Sequence, residues 1–500
     1  DVTVESRREA ERENLINRLQ GSMLFLHEPV GQAEHAAVFC DLNTPVRTVA
    51  YMMSSAHTGA VLVRAQSGDV VGIFTDRDLR ERVVAAGADL DSPVYRFMSS
   101  PLITVLENAE ICEALALIDQ AGVHHLVVVD ETGRATGVVR GQELLRYPSY
   151  GPLVLAAEVS RASRVEEVVT ACRRAPGFAR SLLESGAHPD RVTRMLTSVC
   201  DAACERFIAF ARDRIGPAPA PYVFLALGSQ GRQEQVLSSD QDNAIIYAAE
   251  AADDPTVAEY FQQMGSLVCG WLDRAGYPYC KGEVMAQNPR WCKPLDVWKG
   301  YFSEWIRGGE AQQALEFSIF FDLRPVSGAS ELAAELRAHV YEELSANPAF
   351  LMHLAQNALQ YKPPVRIFGR ILSGGGGPDQ AGQINLKDAL IPLVSFARLY
   401  ALRHRLDNTH TLDRLNALQQ AGIITDASRD ETATAWEQLT RLRLRQQADA
   451  RDAGQPLDNL ISYRRISQLD MALLNQAFAQ IGAIQNRISH DFLGDAQTGG

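Results

Sequence analysis

The sequence predicts a multidomain chain that combines mixed α/β parts with an all-α part. Three observations carry this expectation. Residues 36–148 contain one strand–helix–strand–strand–helix pattern written twice. In the middle of the chain, the apolar run Tyr222–Leu227 leads into Gly228-Ser229. About ten residues later come Asp240-Gln241-Asp242 and a second apolar run, Ala244–Tyr247. From residue 334 onward, apolar residues recur at helical spacing. The length of 500 residues suits three or four domains, and 46% apolar with 22% charged residues is an ordinary globular composition. A net charge of −13 with no basic block argues against a nucleic-acid partner, whose backbone rewards clusters of Lys and Arg. No apolar run approaches the ~20 residues of a membrane span. The eight cysteines show no repeated CxxC spacing and mostly lie in apolar stretches. They read as reduced core thiols of a cytoplasmic protein, not as zinc ligands or disulfides.

Residues 1–35 predict a charged helix over Val4–Leu19 and a loop. In residues 36–148 the first unit runs from Thr44-Pro45-Val46 through Ala60–Val63 and Val71–Phe74 to Thr75-Asp76-Arg77-Asp78. The second runs from Leu102–Val105 through His125–Val129 and Thr136–Val139 to Arg140-Gly141-Gln142-Glu143. One such unit is too small to bury its own sheet, so the two are expected to pack together. The pattern resembles a tandem CBS pair, a Bateman module. That resemblance implies a homodimer and an adenine nucleotide held by the closing Gly-h-x-[Ser/Thr]-x-x-Asp of each unit. Gly72–Asp78 fits in full, so Thr75 would meet phosphate and Asp78 ribose. In the second unit Arg140 stands at the hydroxyl position and Glu143 at the aspartate position; Arg140 could still contact phosphate.

Residues 149–333 open with a linker at Tyr147–Pro152. Amphipathic helices are predicted near Leu153–Ala175 and Pro189–Ile215 before the break Gly216–Pro221. The order strand, glycine turn, short helix, strand follows. Alternation along a strand sets Asp240 and Asp242 on one face, toward the Gly-Ser turn. Paired carboxylates beside a phosphate-sized turn are what Mg²⁺ needs when it also holds nucleotide phosphates. This arrangement resembles the nucleotidyltransferase fold of the polymerase-β superfamily.

With GSQGRQEQ, SSDQDNAII, EVMAQNPRW and FFDLRPVSG, the region resembles a bacterial and archaeal family of CBS-linked nucleotidyltransferases related to PII uridylyltransferases. The resemblance implies an enzyme that moves a nucleoside monophosphate from an NTP to an acceptor, a regulatory protein in the PII case. Gly228 and Ser229 would cradle the triphosphate, and Asp240 and Asp242 would ligate Mg²⁺. Arg232 would contact phosphate or form a salt bridge, for instance with Glu234. The superfamily's third carboxylate is Glu283, read here on a strand, or Asp322, at the end of a helix-like segment. The residues leave both open. They also leave open a catalytically inactive nucleotide-sensing protein of signal transduction that acts through partner binding.

Residues 334–500 predict a helical bundle and resemble the substrate-binding domain of the same family. Lys387, Arg398, Arg403, Arg405 and Arg414 are candidates to face the triphosphate. The strip Arg441-Leu442-Arg443-Leu444-Arg445 reads as a solvated helix face.

Overall fold

The computed structural model describes residues 30–32, 35–56, 58–109, 113–114, 117–118, 121–141, 151–248, 250, 254–308, 317–361, 365–367, 370–372, 383–463 and 466–494. The expected helix at Val4–Leu19 and the Glu143 position lie outside these residues. The chain divides into two compact units, residues 1–153 and 154–500.

Among the described residues the first unit holds seven strands: β1 (His35–Ala36), β2 (Phe39–Asp41), β3 (Ala60–Arg64), β4 (Val70–Thr75), β5 (Thr104–Leu106), β6 (His125–Val129) and β7 (Ala135–Arg140). They form the sheets β2-β3-β4 and β1-β7-β6-β5. The duplicated sequence folds in matching register. Ala60 pairs with Thr75 and Val63 with Gly72; His125 pairs with Arg140 and Val128 with Gly137. Each hairpin carries a bulge at the same place, beside a turn closed by a glycine with positive φ, Gly68 in one and Gly133 in the other. Thr75 and Arg140 therefore occupy equivalent positions. Ala60, Leu62 and Ile73 of one repeat share a buried cluster with Val127 and Val138 of the other, so neither sheet covers itself.

The second unit is built on a four-stranded sheet, β10-β9-β8-β11. Its strands are β8 (Tyr222–Ala226), β9 (Asn243–Tyr247), β10 (Cys292–Pro294) and β11 (Arg324–Gly328). Strand β9 runs antiparallel to β8 and parallel to β10. All five residues of β8 and all five of β9 are buried, which explains their unbroken apolar runs. Helices Pro189–Ile215 and Pro255–Ala275 pack together, and Leu295–Gly308 packs on Ser330–Ala346. The helices Leu386–Arg403, Thr411–Gln420, Asp426–Asp452 and Gln468–Ile488 complete the unit. One buried cluster runs from Val223 of β8 through Trp298, Phe320 and Leu336 to Trp436 and Ile488, so the core continues without a break past residue 333.

The segment predicted as one helix over Leu153–Ala175 is instead two helices, Gly151–Arg161 and Val165–Cys172, with a third, Ala175–Glu184, starting where it ends. At the first break the Glu167 carboxylate accepts from the backbone N–H and hydroxyl of Ser163, a local bond that competes with helix continuation. Among the described residues no helix is long and apolar enough to cross a membrane.

Candidate active site

The turn between β8 and β9 brings Gly228 against Asp242. Gly228 has a φ of +53°, and a Cβ there would lie 2.6 Å from Asp242 Oδ2. Only glycine allows both that backbone and that approach. Burial alternates along the segment before β9: Ser239, Gln241 and Asn243 are buried, Asp240 and Asp242 half-buried. The inward side chains anchor the segment. Gln241 Nε2 donates to the carbonyls of Cys269 and Tyr277, and Asn243 Oδ1 accepts from the Ala286 N–H at 2.8 Å. Leu227 N–H donates to the Asp242 carbonyl at 2.9 Å, which extends the β8–β9 ladder to that residue. The two aspartates thus stand on the other face, beside Gly228-Ser229. Neither makes an ion pair among the described residues. Burial first, and the neighbouring Asp240 second, push the Asp242 carboxyl up to about 6. Two hard, anionic oxygen donors crowded together suit Mg²⁺.

The other side chains of GSQGRQEQ hold the turn in place. Gln230 Nε2 donates to Asp201 at 3.0 Å, and the Gln235 N–H donates to the Thr197 hydroxyl at 3.3 Å; both partners lie on the Pro189–Ile215 helix. Arg324 of β11 joins Asp201 at 2.8 Å and the Gln230 carbonyl at 3.0 Å. Gly231 packs against backbone: a Cβ there would lie 2.1 Å from the Asp322 carbonyl oxygen. Gly231→Ala is therefore expected to cost about 3 kcal/mol, the upper end of overpacking. An unfolding free energy from urea titration within about 0.5 kcal/mol of wild type would contradict this contact.

Asp322 is not positioned as a catalytic carboxylate. It is fully buried, and its oxygens accept from Arg398 (2.5 and 3.0 Å), Arg414 (2.8 Å) and Arg232 (2.7 Å). Burial alone would raise its carboxyl, but the guanidinium groups of Arg398, Arg414 and Arg232 hold it well below the ordinary carboxylate range. A carboxylate so paired is a poor proton acceptor. Arg232 also meets Glu234 at 2.7 Å and is largely buried, so the salt bridge anticipated for it is present as part of a larger cluster. Its guanidinium would have to leave two carboxylates to reach phosphate.

Glu283 does not lie on a strand. It is exposed, has a φ of +56°, and closes a turn at Cys280–Glu283. The flanking backbone pairs with the aspartate segment: Gln241 N–H donates to the Pro278 carbonyl at 3.0 Å and Asn243 N–H to the Val284 carbonyl at 3.1 Å. The turn therefore bulges beside Asp242, where the neighbouring Cys280 thiol helps hold the Asp242 carboxyl down against burial. Among the described residues no His, Cys, Asp or Glu joins the pair as a three-ligand metal cluster.

Of the five basic residues expected to face the cleft, Lys387 alone couples electrostatically to Asp242 from the helical region. Arg398 and Arg414 are consumed by Asp322. Arg403 reaches the Asp491 carbonyl and Arg405 the Ser345 hydroxyl. Arg443, read from the sequence as part of a solvated face, is drawn into the same region. Its Nε donates to Asn459 Oδ1 at 2.7 Å.

In the first unit, Thr75 and Asp78 bond each other. The Thr75 hydroxyl and N–H donate to Asp78 Oδ2 at 2.7 and 3.0 Å, and the Asp78 N–H returns to the hydroxyl at 3.3 Å, a capping box. Asp78 Oδ1 also accepts from Ser99 and pairs with Arg82. Arg140 donates through Nε to His125 Nε2 at 2.7 Å and through Nη2 to Asp76 at 3.1 Å, linking the two repeats. Burial, and then the Arg140 charge, push His125 down to about 4, so the ring is neutral and can accept. The missing side chain of Gly59 leaves room for Arg140.

The sheet, the glycine turn and the paired aspartates define a polymerase-β-like nucleotidyltransferase fold on a chain that also carries a CBS pair. Residues 173–312 match the family described as "Putative nucleotidyltransferase DUF294", and residues 348–492 match "Putative nucleotidyltransferase substrate binding domain". Residues 30–85 and 94–150 each match the CBS domain. The chain belongs to this family of CBS-linked nucleotidyltransferase proteins. Curated relatives include an uncharacterised protein of Methanopyrus kandleri, 33% identical over 114 residues, which are 23% of this chain and 58% of that protein. An uncharacterised 17.7 kDa protein of Acidianus ambivalens is 31% identical over 104 residues, 21% of this chain and 62% of its own. The chain thus spans less than two thirds of the length of these relatives. A CBS domain protein of Pyrobaculum aerophilum, solved in complex with AMP, is similar at 26% identity and a TM-score of 0.24, covering 26% of this chain and 99% of that one.

Proposed function

We propose that the protein is a Mg²⁺-dependent nucleotidyltransferase that moves a nucleoside monophosphate from an NTP to an acceptor hydroxyl. The observation that carries this reading is the pair Asp240 and Asp242, crowded over the Gly228-Ser229 turn with no ion-pair partner among the described residues. Asp240 and Asp242 would hold Mg²⁺, which neutralises phosphate charge when bound. The Gly228-Ser229 backbone would take the phosphates. The acceptor oxygen forms its bond to the α-phosphorus, the α–β bridge breaks, and pyrophosphate leaves. Glu283, exposed on the turn beside Asp242, is our candidate to accept the hydroxyl proton. By the likeness to PII-modifying enzymes, the acceptor is a regulatory protein. An adenine nucleotide at the CBS pair would regulate the transfer. It would meet phosphate through Thr75 and Arg140 and ribose through Asp78, in exchange for their present internal bonds.

A nucleotide sensor without transfer activity is the second reading, favoured because no third carboxylate joins the aspartate pair among the described residues. The two separate on incubation of the full chain with each α-³²P-labelled NTP, Mg²⁺ and cell lysate. Label on a protein with wild type, absent with Asp240→Ala/Asp242→Ala, is the expected result. Nucleotide binding by both forms with no label on any acceptor would establish the sensor.

A further inference from the structure

Arg443 is half-buried and differs from the buried and largely buried arginines among the described residues of the second unit. Arg194, Arg232, Arg398 and Arg414 each meet at least one carboxylate between 2.5 and 2.9 Å. The Arg443 side chain is half-buried, yet no carboxylate forms an ion pair with it among the described residues. Only its Nε is bonded, to the neutral amide oxygen of Asn459. Its two Nη nitrogens bond no described residue. Burial first, then repulsion from Arg232, pull its guanidinium down to about 10 against the attraction of Glu234, Asp240 and Asp388.

The bonds around it tie this cation to the aspartate loop. Asn459 Oδ1 also accepts from Gln447 Nε2 at 3.2 Å. Gln447, one helical turn after Arg443, grips Ser238: its Nε2 donates to the Ser238 hydroxyl at 2.7 Å, and the Ser238 N–H donates to its Oε1 at 3.3 Å. Ser238 lies two residues before Asp240. The Asn459 carbonyl accepts from the Leu386 N–H at 2.9 Å, next to Lys387. One amide thus fixes Arg443 between the loop that bears Asp240 and the start of the helix that bears Lys387. A half-buried cation with a free planar fork, electrostatically coupled to Asp240, is complementary to a ligand that brings both metal and anionic oxygen.

We propose that Arg443 binds the terminal phosphates of the nucleoside triphosphate, as the anion-binding residue that the helical region contributes to the site. This rests on the nucleotidyltransferase reading and names a residue that reading does not require. The fork receives β- or γ-phosphate oxygens while the α-phosphate lies toward Asp240 and Asp242. Arg232, locked to Glu234 and Asp322, keeps the turn in place and stays out of the phosphate contact.

The test is calorimetric binding of inorganic tripolyphosphate to the full chain with and without Mg²⁺, for wild type, Arg443→Gln, Arg443→Lys and Asp240→Asn/Asp242→Asn. Loss of a charged hydrogen-bond partner should weaken the Mg²⁺-dependent component at least about tenfold in Arg443→Gln, and less in Arg443→Lys. The Tm of ligand-free Arg443→Gln should match or exceed that of wild type, because the charge removed has no carboxylate partner. Unchanged affinity in Arg443→Gln, with the component lost in the aspartate variant, overturns this assignment and leaves the catalytic reading standing. A ligand-free Tm lowered by several degrees in both Arg443 variants marks a structural role and also overturns it. If wild type shows no Mg²⁺-dependent component, both readings fall.

Discussion

Asp322→Asn is expected to destabilise the 154–500 unit by about 3–5 kcal/mol, the range for removing one partner from a buried ion cluster. Asp322 is the anion common to Arg232, Arg398 and Arg414, which come from the glycine-turn motif and two separate helices. An asparagine oxygen can accept from these donors, but the charge that offsets three buried cations is gone, with only Glu234 left beside Arg232. All five tryptophans, Trp271, Trp291, Trp298, Trp305 and Trp436, lie in this unit, so fluorescence during urea unfolding reports on it alone. A loss below about 1 kcal/mol would mean the cluster is as well served by neutral hydrogen bonds. The pH dependence has a definite sign. The Asp322 carboxyl is held below its unfolded value, so its contribution is present above about pH 4 and lost as pH falls further.

Asp242→Asn is expected to act in opposite directions on activity and stability. Transfer should fall by about a thousandfold or more, since an amide is a poor ligand for Mg²⁺ beside phosphate. The metal-free protein should gain about 1–3 kcal/mol at pH 8. Here the folded carboxyl is raised to about 6, above its unfolded value. The cost of holding it ionised appears as pH rises from about 4 to 6 and is complete above that. Thermal unfolding in EDTA checks this: the variant should exceed wild type at pH 8 and match it near pH 4. A less stable variant at pH 8 would show that the carboxylate is already compensated. Protons also compete with the cation, so Mg²⁺ affinity of wild type should drop below about pH 6.

The sequence announces what is local. The repeat is visible because both hairpins use the same strand spacing and the same glycine turn, and the register follows it residue by residue. The alternation through Ser239–Asn243 is likewise readable, since strand geometry alone assigns the aspartates to one face. What is not readable depends on distant partners. The apolar stretch Val284-Met285-Ala286 imitates a strand, but Gln241 and Asn243 hold the neighbouring residues in a turn, and Glu283 follows that turn. Nothing near Asp322 in sequence predicts three arginines, all of which lie more than seventy residues away. Arg443 did leave a signal. Trp436, Thr440 and Gln447 are buried at helical spacing, and Arg443 falls on that same stripe, whereas Arg445 is exposed.

Glu234 joins one more pair of elements. Its Oε1 accepts from the Thr411 N–H at the start of the Thr411–Gln420 helix, while Oε2 holds Arg232. The Gly228-Ser229 turn is therefore stapled to the helical region by the same residues that shape it. Separating the two like the halves of a clamshell would strip Glu234, Asp322 and Ser238 of partners in one movement. On the proposed reaction, nucleotide would enter, and pyrophosphate depart, through a cleft whose two walls these bonds hold together, a fixed mould and not a hinge.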